Sequence, residues 1–201
     1  MKKLRQISFF LVLIALFLVC SCATTTMTNV WRDPTYQGPV KKVLVIGIGQ
    51  KKAAQRFFED EFVRQLRENG TDAVAGYTGL PYDQAIDKDF IAAKARELGA
   101  ETVLVTRPVG SKTERTYVPG QVYAVPGPYH RWGSYYGYAY SPGYVVEDEY
   151  VFVETNLFDV PTEKLIWSAQ SETVVSSTNQ ELIKSFVKIM IAKLSSDKMI
   201  K

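Results

Sequence analysis

Histidine and cysteine are nearly missing from this 201-residue chain. There is one histidine, His130, and both cysteines, Cys20 and Cys22, stand close to the amino terminus. The body of the chain therefore has no disulfide framework and no histidine–cysteine set of the kind that holds structural zinc. Long runs of like charge are also missing, which removes the usual basic tail of a nucleic-acid binder. No apolar run reaches the roughly 20 residues that a spanning helix needs; the longest, Ile7 to Val19, has 13 and contains Ser8.

What is present at the amino terminus has a definite order. Lys2, Lys3 and Arg5 precede the apolar run, and Val19-Cys20-Ser21-Cys22 follows it. A positive segment, then about 7–15 apolar residues, then small residues is the layout of a cleaved secretory signal. The last four residues resemble a bacterial lipobox, with small Ser21 just before Cys22 and bulky Val19 before Cys20. Residues 1–21 are thus expected to be a lipoprotein signal peptide and Cys22 the lipidated residue, carrying the two or more acyl chains (palmitate among them) that stable anchoring needs. Ala23, where the enterobacterial sorting rule would read aspartate as inner-membrane retention, favours the outer membrane. The formal net charge of +3 comes entirely from the signal, because removing its three basic residues leaves 21 basic against 21 acidic. A basic footprint for DNA or RNA is absent.

Residues 22–41 read as a lipidated tether, small and polar at first and broken by Pro34, Gly38 and Pro39, with Trp31 and Tyr36 expected to pack on the domain. A single α/β domain is expected over 42–201. Val43 to Ile48 is a continuous apolar run suited to a strand buried on both faces. A helix over 52–69 follows, with Ala54, Phe58, Phe62 and Leu66 at spacing four and Asn69-Gly70 as its stop. Asp72 to Tyr77 reads as a short strand. The next helix spans 88–98, capped by Asp87 or Asp89 and ended by Gly99. Thr102 to Thr106 is another buried strand. This β-α-β-α-β order implies a layered sheet with right-handed crossovers. Residues 149–158 and 164–175 read as a hairpin joined through 159–163. A final helix over 179–195, with Thr178 and Glu181 as a capping box, carries the apolar stripe Ile183, Phe186, Val187, Met190 and Leu194. The expected class is α/β (α+β possible), with a mixed sheet, a hairpin and a carboxy-terminal helix.

Between these elements, residues 117–146 hold eight of the twelve tyrosines, with Trp132, five glycines and four prolines. So many breakers argue for an insertion outside the core. Tyr123, Tyr129, Trp132, Tyr135, Tyr136, Tyr138, Tyr140 and Tyr144 are the candidate binding residues, since tyrosine offers large contact area with a polar tip at little entropic cost. A loop folded on the domain's own edge is the plainer reading of the same segment.

No residue set has the pattern of a catalytic, metal or cofactor site. Gly47-Ile-Gly49 begins a dinucleotide fingerprint, but the third small position is Lys52, so two turn-making glycines explain the pair. Lys51 and Lys52 lack the rest of a phosphate loop. Glu147-Asp148-Glu149 alternate in direction on an extended chain and read as solvated. His130, the one possible imidazole base, lies in the breaker-rich segment. A hydrolase built on Glu154, Asp159 or His130 is the enzymatic alternative. No metal and no cofactor are expected.

Trp31-x-Asp33-Pro34-x-Tyr36, Val43-Leu-Val-Ile-Gly47, Phe58-Glu59, Glu97-Leu-Gly-Ala100, Glu154-Thr-Asn-Leu-Phe-Asp159 and Lys164-Leu-Ile-Trp167-Ser168 together resemble a group of proteobacterial lipoproteins built on a domain of unknown function. The resemblance covers most of residues 22–195. Where its members commonly have glycine in the hairpin, this chain has Glu163. The element order also resembles the amino-terminal domain of the Tol-system periplasmic protein, the curli secretion lipoprotein and lipoprotein activators of peptidoglycan synthases. The resemblance implies a non-enzymatic, outer-membrane-anchored lipoprotein facing the periplasm. Its expected partner is an envelope protein or peptidoglycan, with a subunit of an envelope assembly or secretion complex as the alternative.

Overall fold

The computed structural model describes residues 25–81, 87–124, 138–175 and 179–201, with side chains left out at 122–141 and 179. Eight strands are described: β1 (Thr25–Arg32), β2 (Lys42–Gly47), β3 (Asp72–Ala75), β4 (Thr102–Val118), β5 (Gln121–Ala124), β6 (Tyr138–Ser141), β7 (Tyr144–Asp159) and β8 (Leu165–Val174). The helices are α1 (Lys52–Glu68), α2 (Lys88–Glu97) and α3 (Asn179–Ser196). Six strands form one mixed sheet in the order β1-β8-β7-β4-β2-β3, and β5 and β6 pair separately. The fold is mixed α/β, as expected. β2 lies parallel to both β3 and β4, while β4, β7, β8 and β1 are antiparallel neighbours.

The period-two geometry of β2 divides the core into two layers. Val43 and Val45 face α1 and α3, together with Phe62, Leu66, Leu104, Trp167, Val187, Met190 and Leu194. Leu44 and Ile46 face α2, with Ala95, Ala100, Val103 and Val160. Parallel strands need cover on both sides, which explains the unbroken apolar run in β2. The stripe on α3 buries Phe186, Val187, Met190, Ile191 and Leu194, each worth about 1.5–3 kcal/mol on burial.

Local chemistry sets the helix ends. The Asp87 carboxylate accepts the Phe90 N–H at 2.7 Å, capping α2. Gly70 and Gly99 take φ of +79° and +68° just past α1 and α2, a conformation that glycine adopts without a Cβ clash. Thr178, half of the expected capping box, lies outside the described residues.

The structure differs from expectation at several places. The segment expected to be a tether contains β1, which pairs with β8 from Thr25↔Thr173 to Arg32↔Trp167. The Thr25 and Thr173 hydroxyls are 2.9 Å apart, and Thr25 is buried. Threonine is β-branched and suits a strand, so a small polar run served as an edge. In the same segment Tyr36 packs on the core, whereas Trp31 is 45% exposed. The Gly47/Gly49 pair makes no left-handed turn, because neither has positive φ. Gly47 is small because a Cβ there would come within 2.8 Å of the Phe58 ring, whereas Gly49 faces open space. The third strand stops at Ala75, where a short 3-10 turn, Gly76–Thr78, begins.

Candidate functional site

The row Thr25, Thr173, Val151 and Ser111 runs straight across β1, β8, β7 and β4. β8 reaches one residue past this row, Val174↔Tyr150, whereas β4 and β7 continue together to Val118↔Tyr144. They leave the sheet as a two-stranded arm. At about 3.3 Å per residue, the seven residues from Lys112 to Val118 span roughly 23 Å. β5 and β6 then pair from Gln121↔Ser141 to Ala124↔Tyr138, continuing the two chains of the arm.

Charge is concentrated at the root of the arm. Lys112 Nζ lies 2.8 Å from Glu172 and 3.0 Å from Glu114, and 4.7 Å from the Tyr150 ring centroid. The Glu172 carboxylate first, and Glu114 after it, holds the Lys112 ammonium well above its ordinary pKa. Burial, and then the Glu114 and Asp148 charges, push the Tyr150 phenol up. Arg115 pairs with Glu147 at 2.7 Å, directly across the two strands. From Thr116 to Val146 the one charged residue is Arg131.

An apolar cleft opens beside the root. Its volume is about 560 Å³, and it lies between the first turns of α1 and α3 at the carboxyl ends of β2 and its parallel neighbour. Open α/β sheets place ligands at that end. Phe58, Val151, Val153, Ile183 and Phe186 line it, with Gly47 to Lys51 on one side and Thr106, Glu149 and Thr173 on the others. Glu59, buried, holds this region together. Its carboxylate accepts the Gly47 N–H at 3.0 Å and the Tyr77 N–H at 2.8 Å, joining α1 to the end of β2 and to the turn after β3.

The sequence-derived candidates distribute as follows. Tyr144 begins β7 and is 59% exposed. Tyr123, Tyr138 and Tyr140 lie on β5 and β6. Tyr129, Trp132, Tyr135, Tyr136, His130 and Cys22 lie outside the described residues. Glu154 is engaged by Arg107, whose Nε and Nη2 each approach its carboxylate at 2.9 Å. Asp159 accepts the Thr162 N–H at 3.0 Å and its hydroxyl at 2.5 Å, closing the hairpin turn. Five residues apart on β7, Glu154 and Asp159 are separated by about 16 Å of strand and lie on opposite faces of it, which does not set them facing each other as a glycosidase pair needs. Among the described residues no group of three or more His, Cys, Asp or Glu could hold a metal ion, and no helix is long and apolar enough to cross a membrane.

The arm and the cleft were not foreseen. The arm's one sequence signal is a complementary charge pair across its strands, Arg115 with Glu147. The cleft is assembled by elements distant in sequence and had none.

No protein-family model matches the chain, and no curated protein sequence matches it. Among solved structures, it is similar to the PelC dodecamer from Paraburkholderia phytofirmans, at 16% identity and a TM-score of 0.49, covering 88% of this chain and 99% of that one. It is also similar to lipoprotein GNA1162 from Neisseria meningitidis, at 13% identity and a TM-score of 0.42, covering 78% and 99%. At these values neither assigns this chain to a family.

Proposed function

We propose that this chain is a lipid-anchored subunit of a cell-envelope assembly, held at the outer membrane through Cys22 with its α/β body in the periplasm. It works by contact and not by catalysis. The arm carries this reading. An isolated two-stranded ribbon is marginally stable in water, yet here one projects beyond the sheet with most of its side chains exposed on both faces. Such a ribbon gains order from a partner laid against it. The charged root suits a protein contact, because its fixed charges can select a complementary surface and reject others. The lipobox-like residues 19–22 support the anchor.

Photo-crosslinkers placed at Thr113 and Asp148, in cells carrying the intact envelope, test this. The expected result is a discrete protein adduct, either a ladder of the chain itself or one partner band. Adducts to glycan strands would favour peptidoglycan binding instead. Absence of any adduct at both positions, with the fold intact, would remove the assembly reading.

A further inference from the structure

We infer that the far end of the arm meets the lipid surface of the membrane. This rests on the Cys22 anchor proposed above and names the partner of a different part of the arm. The first observation is direction. β1 runs antiparallel to β8, and its first described residue, Thr25, lies in the Thr25–Thr173–Val151–Ser111 row, at the side of the sheet from which the arm projects. The second is length. Cys22 is three residues before Thr25, and three extended residues span at most about 11 Å. The arm runs roughly 23 Å past the same row. A lipid on Cys22 leaves less space between sheet and bilayer than the arm fills.

The third observation is chemistry, which changes along the arm in the sense that a membrane requires. The root is charged, and the described residues from Thr116 to Val118 and from Tyr144 to Val146 carry no charge and include Tyr117 and Tyr144. Tyr117, Tyr144 and Val145 are 65%, 59% and 56% exposed. Tyr117 stands opposite Val145, and Val118 opposite Tyr144, so the two pairs point to the two faces of the ribbon. A protein partner seated on one face would leave the other apolar face in water, whereas lipid surrounds both. Tyrosine belongs at the headgroup level, with its ring toward the acyl chains and its hydroxyl in the polar layer.

The test uses the processed full-length chain in vesicles of phosphatidylethanolamine and phosphatidylglycerol with brominated acyl chains. An environment-sensitive fluorophore is placed on Val145→Cys at the end of the arm, or on Val109→Cys at its base. The label at 145 is expected to lose roughly half its emission to the bromines and the label at 109 almost none, consistent with interfacial depth. Adding Tyr117→Asp and Tyr144→Asp to the Val145→Cys chain should restore the emission while the protein stays on the vesicles. Equal, water-like emission at 145 and 109 overturns the inference, and so does shielding at 145 from aqueous quencher without loss to the bromines, which would signify a protein contact. The intact mass of the same sample separates the two claims. A diacyl or triacyl Cys22 with an unquenched label overturns only the lipid contact of the arm, and an unmodified Cys22 with a quenched label overturns only the anchor.

Discussion

Replacing Glu59 with alanine should weaken the fold more than any change of similar size on the surface of α1. The carboxylate is 1% exposed and accepts two backbone N–H groups, from Gly47 and Tyr77. A hydrogen bond to a charged group contributes about 1.5–3 kcal/mol, and a buried donor left without a partner loses its solvation as well. Two such bonds give a loss of about 3–6 kcal/mol, against a total stability of about 5–15 kcal/mol for a domain of this kind. Glu59→Gln keeps one carbonyl acceptor and turns an amide against the second N–H, so it should lose about half as much. Urea unfolding followed by far-ultraviolet circular dichroism measures both, provided the slope with denaturant stays constant. An alanine variant within about 0.5 kcal/mol of the parent would refute the reasoning, because a change that small is typical of surface positions.

Other expectations concern single contacts. Gly76→Ala drives a Cβ to 2.9 Å from the Val45 carbonyl oxygen and should cost about 1–3 kcal/mol; Gly49→Ala, with nothing within 4 Å, should be near neutral in the same unfolding assay. Glu163 holds φ at +57° in the hairpin, so Glu163→Gly should raise stability by up to about 1 kcal/mol, reduced slightly by loss of the exposed 3.3 Å pair with Lys88. Asp197 accepts the Trp167 indole N–H at 2.8 Å and pairs with Lys193 at 2.7 Å. Burial acts to raise its carboxyl pKa, but Lys193 and then Trp167 outweigh it and hold it below the ordinary value. A depressed pKa contributes stability that is present above about pH 4 and lost as pH falls through the folded value. Asp197→Asn should therefore destabilise at neutral pH, with the difference narrowing toward pH 2 in unfolding curves.

The elements legible in the sequence were those whose apolar pattern reflects their own burial. β2 reads as a buried strand because both its faces are covered, and α1 and α3 read as helices because one stripe meets the sheet. The cap of α2 was narrowed to Asp87 or Asp89 by their place before an apolar period, and the structure shows Asp87 in that role. β1 and the arm were not legible, because each owes its strand conformation to a partner chain segment far away. The threonines of β1 show no apolar alternation, and from Arg107 onward β4 is held by β7 instead of by core burial. Gly47 was misread for a related reason. Its demand comes from Phe58, eleven residues on, and not from its own backbone angles. The aromatics between 117 and 146 are evident from composition, but composition could not show that Tyr117 and Tyr144 lie on the side of the sheet where Thr25 begins β1.

Mass spectrometry of the amino-terminal peptide of the mature protein, isolated from envelopes, tests the central claim most directly. The account predicts a first residue Cys22 carrying two or three acyl chains, with residues 1–21 gone. A mature chain that begins elsewhere, or at a Cys22 without acyl groups, would contradict it.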